Sequence, residues 1–363
     1  MKFDGRWLAT GLFVALAAGP IAHAEDKPAE QTQKNIQVLK GMPTSQIGPV
    51  MNAMRASLGV NCAFCHVVNG DKWEMDKDDK DEKKVARKMI QMVMDLNKTS
   101  FGGRPAVTCN SCHRGATHPV GLIPLPTPAP ATGEEGDADE KEPAYPSPQE
   151  IVDRYVKAVG AADAVARMKT LVMKGTRESQ NGKPTPLEIS RSEGDKILIV
   201  GTTPNGTNTT ASNGKTGWVK NPHGQHEMDA DELAQFREQV KVYAPIKISA
   251  PTASMKVVGT EKIGDREAYI MRGEGPNGTR QRFYFDKQTG LLLRSFSATL
   301  SMIGSIPEQT DFDDYRDVAG VKIPFTIVYS NVDPWASATR KFAEVKPNVP
   351  VDPAKFDPPA AAK

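Results

Sequence analysis

The chain has 363 residues and only four cysteines. That scarcity excludes a disulfide-built scaffold, which needs many bridges in a short chain. Charge of one sign is lacking too: 46 basic residues stand against 44 acidic ones, for a formal net charge of +2. So even a balance points neither to nucleic acid nor to an acidic membrane surface as a partner. A long apolar run is also missing. The stretch from Trp7 to Ala18 is short of the ~20 residues that a membrane helix needs.

That stretch follows Lys2 and Arg6 and leads into Ala22-His23-Ala24, a small-residue cleavage pattern. Together they read as a secretory signal peptide over residues 1–24, with an uncleaved anchor as the alternative. No cysteine lies near the cleavage site for a lipid anchor. The expected location is the periplasm, with membrane association left open and no firm anchor.

The four cysteines are all used in one way. Cys62 and Cys65 are followed directly by His66, and Cys109 and Cys112 by His113. A redox disulfide, a four-thiolate zinc site, ordinary bridges and covalent haem attachment compete for such pairs. Zinc accepts four thiolates but does not need a histidine after each second cysteine. A thioredoxin-like disulfide needs a βαβ setting that this region lacks. Covalent haem uses all the positions. The two thiols add to the porphyrin vinyl groups, and the adjacent imidazole ligates the iron. The spacing therefore predicts two haem c groups (iron), with Cys62, Cys65, Cys109 and Cys112 binding the cofactor and His66 and His113 as metal ligands.

Each motif follows a predicted helix. Ile47, Val50, Met51, Met54 and Leu58 recur at helical spacing, and Gly59 stops the pattern. Val85, Met89, Met92 and Leu96 repeat it, with acidic residues opening the helix and Asn97 placed to close it. Met51-x-x-Met54-x-x-x-Leu58 aligns with Met89-x-x-Met92-x-x-x-Leu96, so the segment is a twofold repeat of helix, turn and haem motif. A methionine stripe is ordinary core, but a haem iron also takes a thioether as sixth ligand. The repeat nominates Met51 and Met89 as metal ligands, with Met54 and Met92 as alternatives. Met94 has no counterpart and is read as packing. His118 is read as a solvent-facing loop residue rather than a distal ligand. The charge run "DKDDKDEKK" is read as a solvated helix start.

The stretches "NIQVLKGMPTSQIGPVMNAMRASLGVNCAFCH" and "KKVARKMIQMVMDLNKTSFGGRPAVTCNSCHRG" resemble one half of the cytochrome c subunit of photosynthetic reaction centres. That family builds each haem site from a helix with an axial methionine, a turn and Cys-x-x-Cys-His. The resemblance implies one haem at Cys62, Cys65, His66 and Met51, and another at Cys109, Cys112, His113 and Met89. It covers residues 35 to about 119. The family typically carries four haems, and one takes a distal histidine from a loop. Here there are two motifs, and "KTSFGGRPAV" has no histidine.

Residues 121–148 are Pro-rich, then acidic, and read as a linker. Beyond it the pattern turns to alternating strands with clear turns, at Asp286 to Gly290 and at Ala319-Gly320. Helices are expected over 147–160, capped by Ser147, and over 229–243. "FYFDKQTGLLLRSFSATLSMIGSIPEQTDFDDYRDVAGVKIPFTIVYS" resembles outer-membrane lipoprotein-carrier and related half-barrel proteins. That resemblance implies an antiparallel incomplete barrel with helices, and an apolar cavity for a lipid, quinone or acyl chain. His223 and His226, three apart, have no third ligand and are read as a surface loop. No catalytic cluster is visible.

The expected fold is thus multidomain, α and α+β. A dihaem cytochrome c domain over 31–120 is followed by the linker, a half-barrel over 149–351 and a tail over 352–363. The expected function is single-electron transfer between redox protein partners. The alternatives are a dihaem redox enzyme such as a peroxidase, with one open iron, and a half-barrel that binds an apolar ligand and is tethered to the haems.

Overall fold

The computed structural model describes residues 26–70, 72–119, 144–179, 182–204, 206–222, 224–240, 254–274, 279–332 and 337–359. The signal peptide read at 1–24 lies outside them, as does most of the linker.

The N-terminal part is helical. A short α1 (Ala29–Thr32) precedes α2 (Ile47–Leu58), which ends at Gly59 in the left-handed conformation (φ 67°), as the glycine stop predicts. A small hairpin, β1 (Val67–Asn69) and β2 (Lys72–Glu74), follows the first motif. The sequence carried no sign of it. Next come α3 (Asp81–Ser100) and α4 (Cys109–His113). Helix α3 runs past Asn97, which does not close it. Asn97 is buried instead and bonds across to the following loop. A small cluster of Leu39, Met42, Val50 and Ile90 forms the core here.

After the linker, α5 (Pro148–Val159) opens with the expected cap. Ser147 and Glu150 form a reciprocal capping box. A further helix, α6 (Ala162–Arg167), has too few apolar positions to be read from the sequence. Six strands then meander outward: β3 (Thr170–Ser179), β4 (Thr185–Ser192), β5 (Lys196–Thr203), β6 (Gly206–Asn213), β7 (Gly217–Asn221) and β8 (Gly224–Glu227). Helix α7 (Ala230–Gln239) follows. Seven more strands complete the domain: β9 (Lys256–Ile263), β10 (Arg266–Glu274), β11 (Arg280–Asp286), β12 (Leu292–Ser301), β13 (Gly304–Val318), β14 (Val321–Asn331) and β15 (Ala338–Pro347).

These 13 strands form one antiparallel sheet, ordered β8-β7-β6-β5-β4-β3-β15-β14-β13-β12-β11-β10-β9. Every pairing joins strands adjacent in sequence except β3 with β15, which knits two meanders together. The sheet is open: β8 and β9 are its two edges. The chain between those edges carries α7, whose Phe236 enters the core. Ile151, Tyr155 and Val159 of α5 enter the same core, against Met173, Ile189, Phe285, Phe312 and Ile327 of the strands. Tyr155 meets Phe285 edge to face, with ring centres 5.5 Å apart. This is the expected half-barrel, an antiparallel sheet with its apolar face covered by helices.

The legible turns form as expected. Asp286 Oδ1 accepts the N–H groups of Gln288 and Thr289, and Gly290 takes a positive φ. Ala319 and Gly320 both have positive φ, as a tight hairpin turn requires. In the stretch read as a tail, Phe356 is buried and its carbonyl accepts the Trp218 Nε1–H at 2.9 Å.

Candidate functional site

The first motif sits on a tight turn. The N–H groups of Cys65 and His66 both donate to the Cys62 carbonyl, at 3.3 and 3.0 Å. This single 3-10 turn, Cys62–Phe64, carries the first thiol, with Cys65 and His66 directly after it. The second motif is the five-residue α4 itself. Thr108 and Ser111 cap it reciprocally, and Arg114 ends it in the left-handed conformation. In both motifs the geometry is local, so a short sequence pattern suffices to produce it.

All four cysteines are free thiols. Among the described residues, no three His, Cys, Asp or Glu side chains converge on a metal-binding point. The two Cys-x-x-Cys pairs therefore do not assemble one four-thiolate zinc centre. Burial pushes the Cys65 thiol above its ordinary value, with Glu82 adding to the effect. Burial does the same at Cys109. Burial also lowers the basicity of His66, assisted by Lys83.

Both histidines are oriented alike. His66 Nδ1 lies 3.2 Å from the Met75 carbonyl oxygen, and His113 Nδ1 lies 2.9 Å from that of Ala116. A carbonyl oxygen only accepts, so Nδ1 carries the proton and donates in each case. Nε2 is then the nitrogen with a free lone pair. A metal-bound histidine is usually held in this way, its second N–H fixed by a backbone carbonyl. The Met75 contact comes from the small β1–β2 hairpin region, which explains what that unforeseen element does.

Helix α3 adds a second sign of fit. Ile90 and Val93 are buried on one side. On another, Val85, Met89, Met92 and Leu96 are 49, 42, 52 and 39% exposed. Four large apolar side chains at helical spacing form an exposed stripe that no described residue covers, as expected of a face that packs on a flat apolar group. Met89 and its alternative Met92 both lie on it. Met51 and Met54 of α2 are half-buried at the edge of the N-terminal cluster, and Met94 packs there too. An open cleft of about 770 Å³ adjoins the first motif, lined by Gly59, Val60, Ala63, Phe64, Lys80 and Glu82 among others. That volume is in the range that holds a cofactor. Thiols, imidazoles and apolar faces together fit a covalently held haem.

Three features escaped the sequence reading. Asn97 Oδ1 accepts the Val107 N–H at 2.9 Å while its Nδ2–H donates to the Val107 carbonyl at 2.8 Å, fixing the loop ahead of Cys109. The Gly115 N–H donates to the Ser57 carbonyl at 2.8 Å, tying the end of the second motif to α2. The charge run holds a structured ion pair. Arg87 reaches both oxygens of Asp78, at 2.9 Å each, and Lys83 lies 3.1 Å away. Gln37 also donates to Asp78, at 3.4 Å, so the run anchors the N-terminal segment to α3. No local pattern marks any of these. His118 is exposed, as read. His226 lies on β8 with Nε2 3.5 Å from Glu232 Oε1, and His223 lies outside the described residues.

Residues 10–140 match the family described as the photosynthetic reaction centre cytochrome C subunit. Among curated proteins, cytochrome c-554 of Chloroflexus aurantiacus is 34% identical over 88 residues, which are 23% of this chain and 20% of that protein. The reaction center cytochrome c subunit of Roseobacter denitrificans is 31% identical over 102 residues, 26% of this chain and 27% of that one. The chain thus spans between a fifth and three tenths of these relatives' length. The N-terminal region is similar to this cytochrome family, as the two Cys-x-x-Cys-His motifs lead one to expect.

Solved structures similar to the remainder include a LolA superfamily protein of Nitrosomonas europaea, 11% identical with a TM-score of 0.39, covering 59% of this chain and 99% of that one. A DUF1329 family protein of Desulfovibrio piger is 12% identical with a TM-score of 0.41, covering 58% and 98%. No helix among the described residues is long and apolar enough to cross a membrane.

Proposed function

We propose that the chain is a periplasmic dihaem c-type cytochrome that passes single electrons between redox protein partners. The observation that carries this reading is the paired orientation of His66 and His113, each beside two free thiols with Nδ1 held by a backbone carbonyl. Cys62 and Cys65, and Cys109 and Cys112, would hold a haem each through thioether bonds, every thiol S–H adding across a vinyl double bond. His66 and His113 would offer Nε2 as iron ligands. Met51 and Met89 would offer thioether sulfur as further ligands. Bound haem contributes one-electron iron chemistry, and filled axial positions leave no open site for a substrate. The protein's part is to hold the imidazoles in one tautomer and to keep the haem faces dry.

Intact mass and the pyridine haemochrome spectrum of purified mature protein test the reading. Two covalent haems per chain are expected, and one after Cys62→Ala with Cys65→Ala. Haem that extracts into acid organic solvent, or a mass with a single haem, would overturn it.

For the half-barrel we propose an apolar ligand on the concave face of the sheet. Tyr155 and Phe236 already fill part of that face, so a ligand there must displace helix side chains. Organic extraction of the purified protein should release a lipid or quinone. Recovery of no apolar molecule would leave the haem segment as the functional part.

A further inference from the structure

The hairpin joining β12 to β13 has an unusual tip. Ser301 pairs with Gly304, so the turn itself is only Met302 and Ile303. Two-residue hairpin turns normally use Asn, Asp and Gly, which suit both the backbone twist and solvent. A Met-Ile pair supplies neither advantage; Met302 is 36% exposed, and the covered residue of the tip is Ile303. Ile303 is 4% exposed, and together with Ile306 of β13 it joins the cluster of Leu39, Met42, Val50 and Ile90 in the haem segment.

Two further contacts fix the docking. Gln46, just ahead of α2, donates its Nε2–H to the Leu300 carbonyl at 3.4 Å. Gly304, at φ +139°, faces the methyl group of Thr108, and a Cβ at this position would press into it. Thr108 is the residue that caps α4, and Cys109 packs at the edge of the same apolar cluster.

We propose that this hairpin is a wall of the redox centre: the half-barrel inserts Ile303 and Ile306 beside Thr108 and Cys109, keeps water from the second haem, and raises its reduction potential. The proposal rests on the haem reading of the two motifs. Its physical basis is charge. A ferric haem carries one more positive charge than a ferrous one, and a dry apolar surround penalises the more charged form. The half-barrel is then coupled to the electron carrier through one hairpin, and moving it shifts one potential and not the other.

The test uses the full-length holoprotein. Met302→Ser with Ile303→Ser keeps residues that suit the negative φ of both turn positions, so the hairpin forms while its apolar tip is lost. Gly304→Val, which presses on Thr108, is the second variant. Three quantities are read: covalent haem count by mass, the two midpoint potentials by redox titration, and hydrogen exchange of residues 106–112. Both variants should keep two haems, show a downward shift of one potential with the other unmoved, and exchange faster at 106–112. Unmoved potentials, or a common shift of both, overturn the tuning. Unchanged exchange overturns the docking whatever the haem count. A wild type without two covalent haems overturns the haem reading instead, and the mass shows that separately.

Discussion

Gly59, the residue that ends α2, lies directly against the carbonyl of Gly115, the second residue after His113; a methyl group on Gly59 would collide with that oxygen. Beside it the Gly115 N–H bonds to Ser57. The two Cys-x-x-Cys-His motifs are therefore held at a fixed separation by a backbone-to-backbone approach that tolerates no side chain. Gly59→Ala meets both this collision and a φ of 67°, where a non-glycine residue costs roughly 1–3 kcal/mol. We expect a lowered unfolding midpoint for the haem segment, followed by Soret absorbance during denaturation. Gly41→Ala also has positive φ but nothing near its Cβ, so it should cost less. Equal losses at the two positions would show that the approach to Gly115 carries no weight.

Asn97 acts on the second motif alone. Asn97→Ala removes both bonds to Val107 and leaves the partly buried N–H and carbonyl of that residue without their partner. Leaving such groups unsatisfied costs roughly 1–3 kcal/mol. The expected result is faster hydrogen exchange over residues 104–109 and poorer haem occupancy at Cys109 and Cys112, with the first motif loaded normally. Uniform loss at both motifs would contradict a local role.

The axial ligands can be told apart by spectrum. With Met51 and Met89 as ligands, both irons are low-spin. Met51→Ala or Met89→Ala should then convert one haem to high spin, lower its potential and introduce peroxidase turnover. Met54→Ala and Met92→Ala should leave the spectrum nearly unchanged. A spin change on Met54→Ala and none on Met51→Ala would reassign the ligand while keeping the carrier.

Asp78 makes part of the stability dependent on pH. The Arg87 guanidinium, helped by Asn35 and Lys83, holds its carboxyl well below the usual carboxylate range. The folded value is depressed, so the ionised form favours the fold above the unfolded value of about 4. That contribution fades as pH falls below it toward the folded value. Asp78→Asn should destabilise the haem segment at pH 7 in chemical denaturation, and the gap to wild type should narrow with acid. A gap independent of pH would mean that the charge is not what matters.

The half-barrel has its own main cluster around Phe285 and Ile327, and the cluster around Val50 and Ile90 takes only Ile303 and Ile306 from it as buried residues. Proteolysis between Glu134 and Glu142 should give two folded pieces, with all the haem on the N-terminal one. Circular dichroism and visible absorbance of the separated pieces check this. Collapse of either piece would show that it cannot fold without the other.

What the sequence by itself determined is everything set within a few residues. Cys-x-x-Cys-His closes its own turn through the Cys62 carbonyl. Ser147 and Glu150 cap α5, Gly59 stops α2, and Ala319-Gly320 turns β13 into β14. Each depends on a hydrogen bond or a backbone preference between near neighbours, so the residue types alone reveal it. Tertiary structure decided the rest. It paired β3 with β15, turned Asn97 from an apparent helix end into a clamp on Val107, and set Arg87 on Asp78. It also placed Gly115 on Gly59 and Ile303 in the core of the haem segment, 213 residues along the chain from Ile90 (303 − 90). Such contacts join residues whose own neighbourhoods carry no mark of the partner, because burial rewards any apolar or satisfied surface alike and only the folded chain selects which surfaces meet.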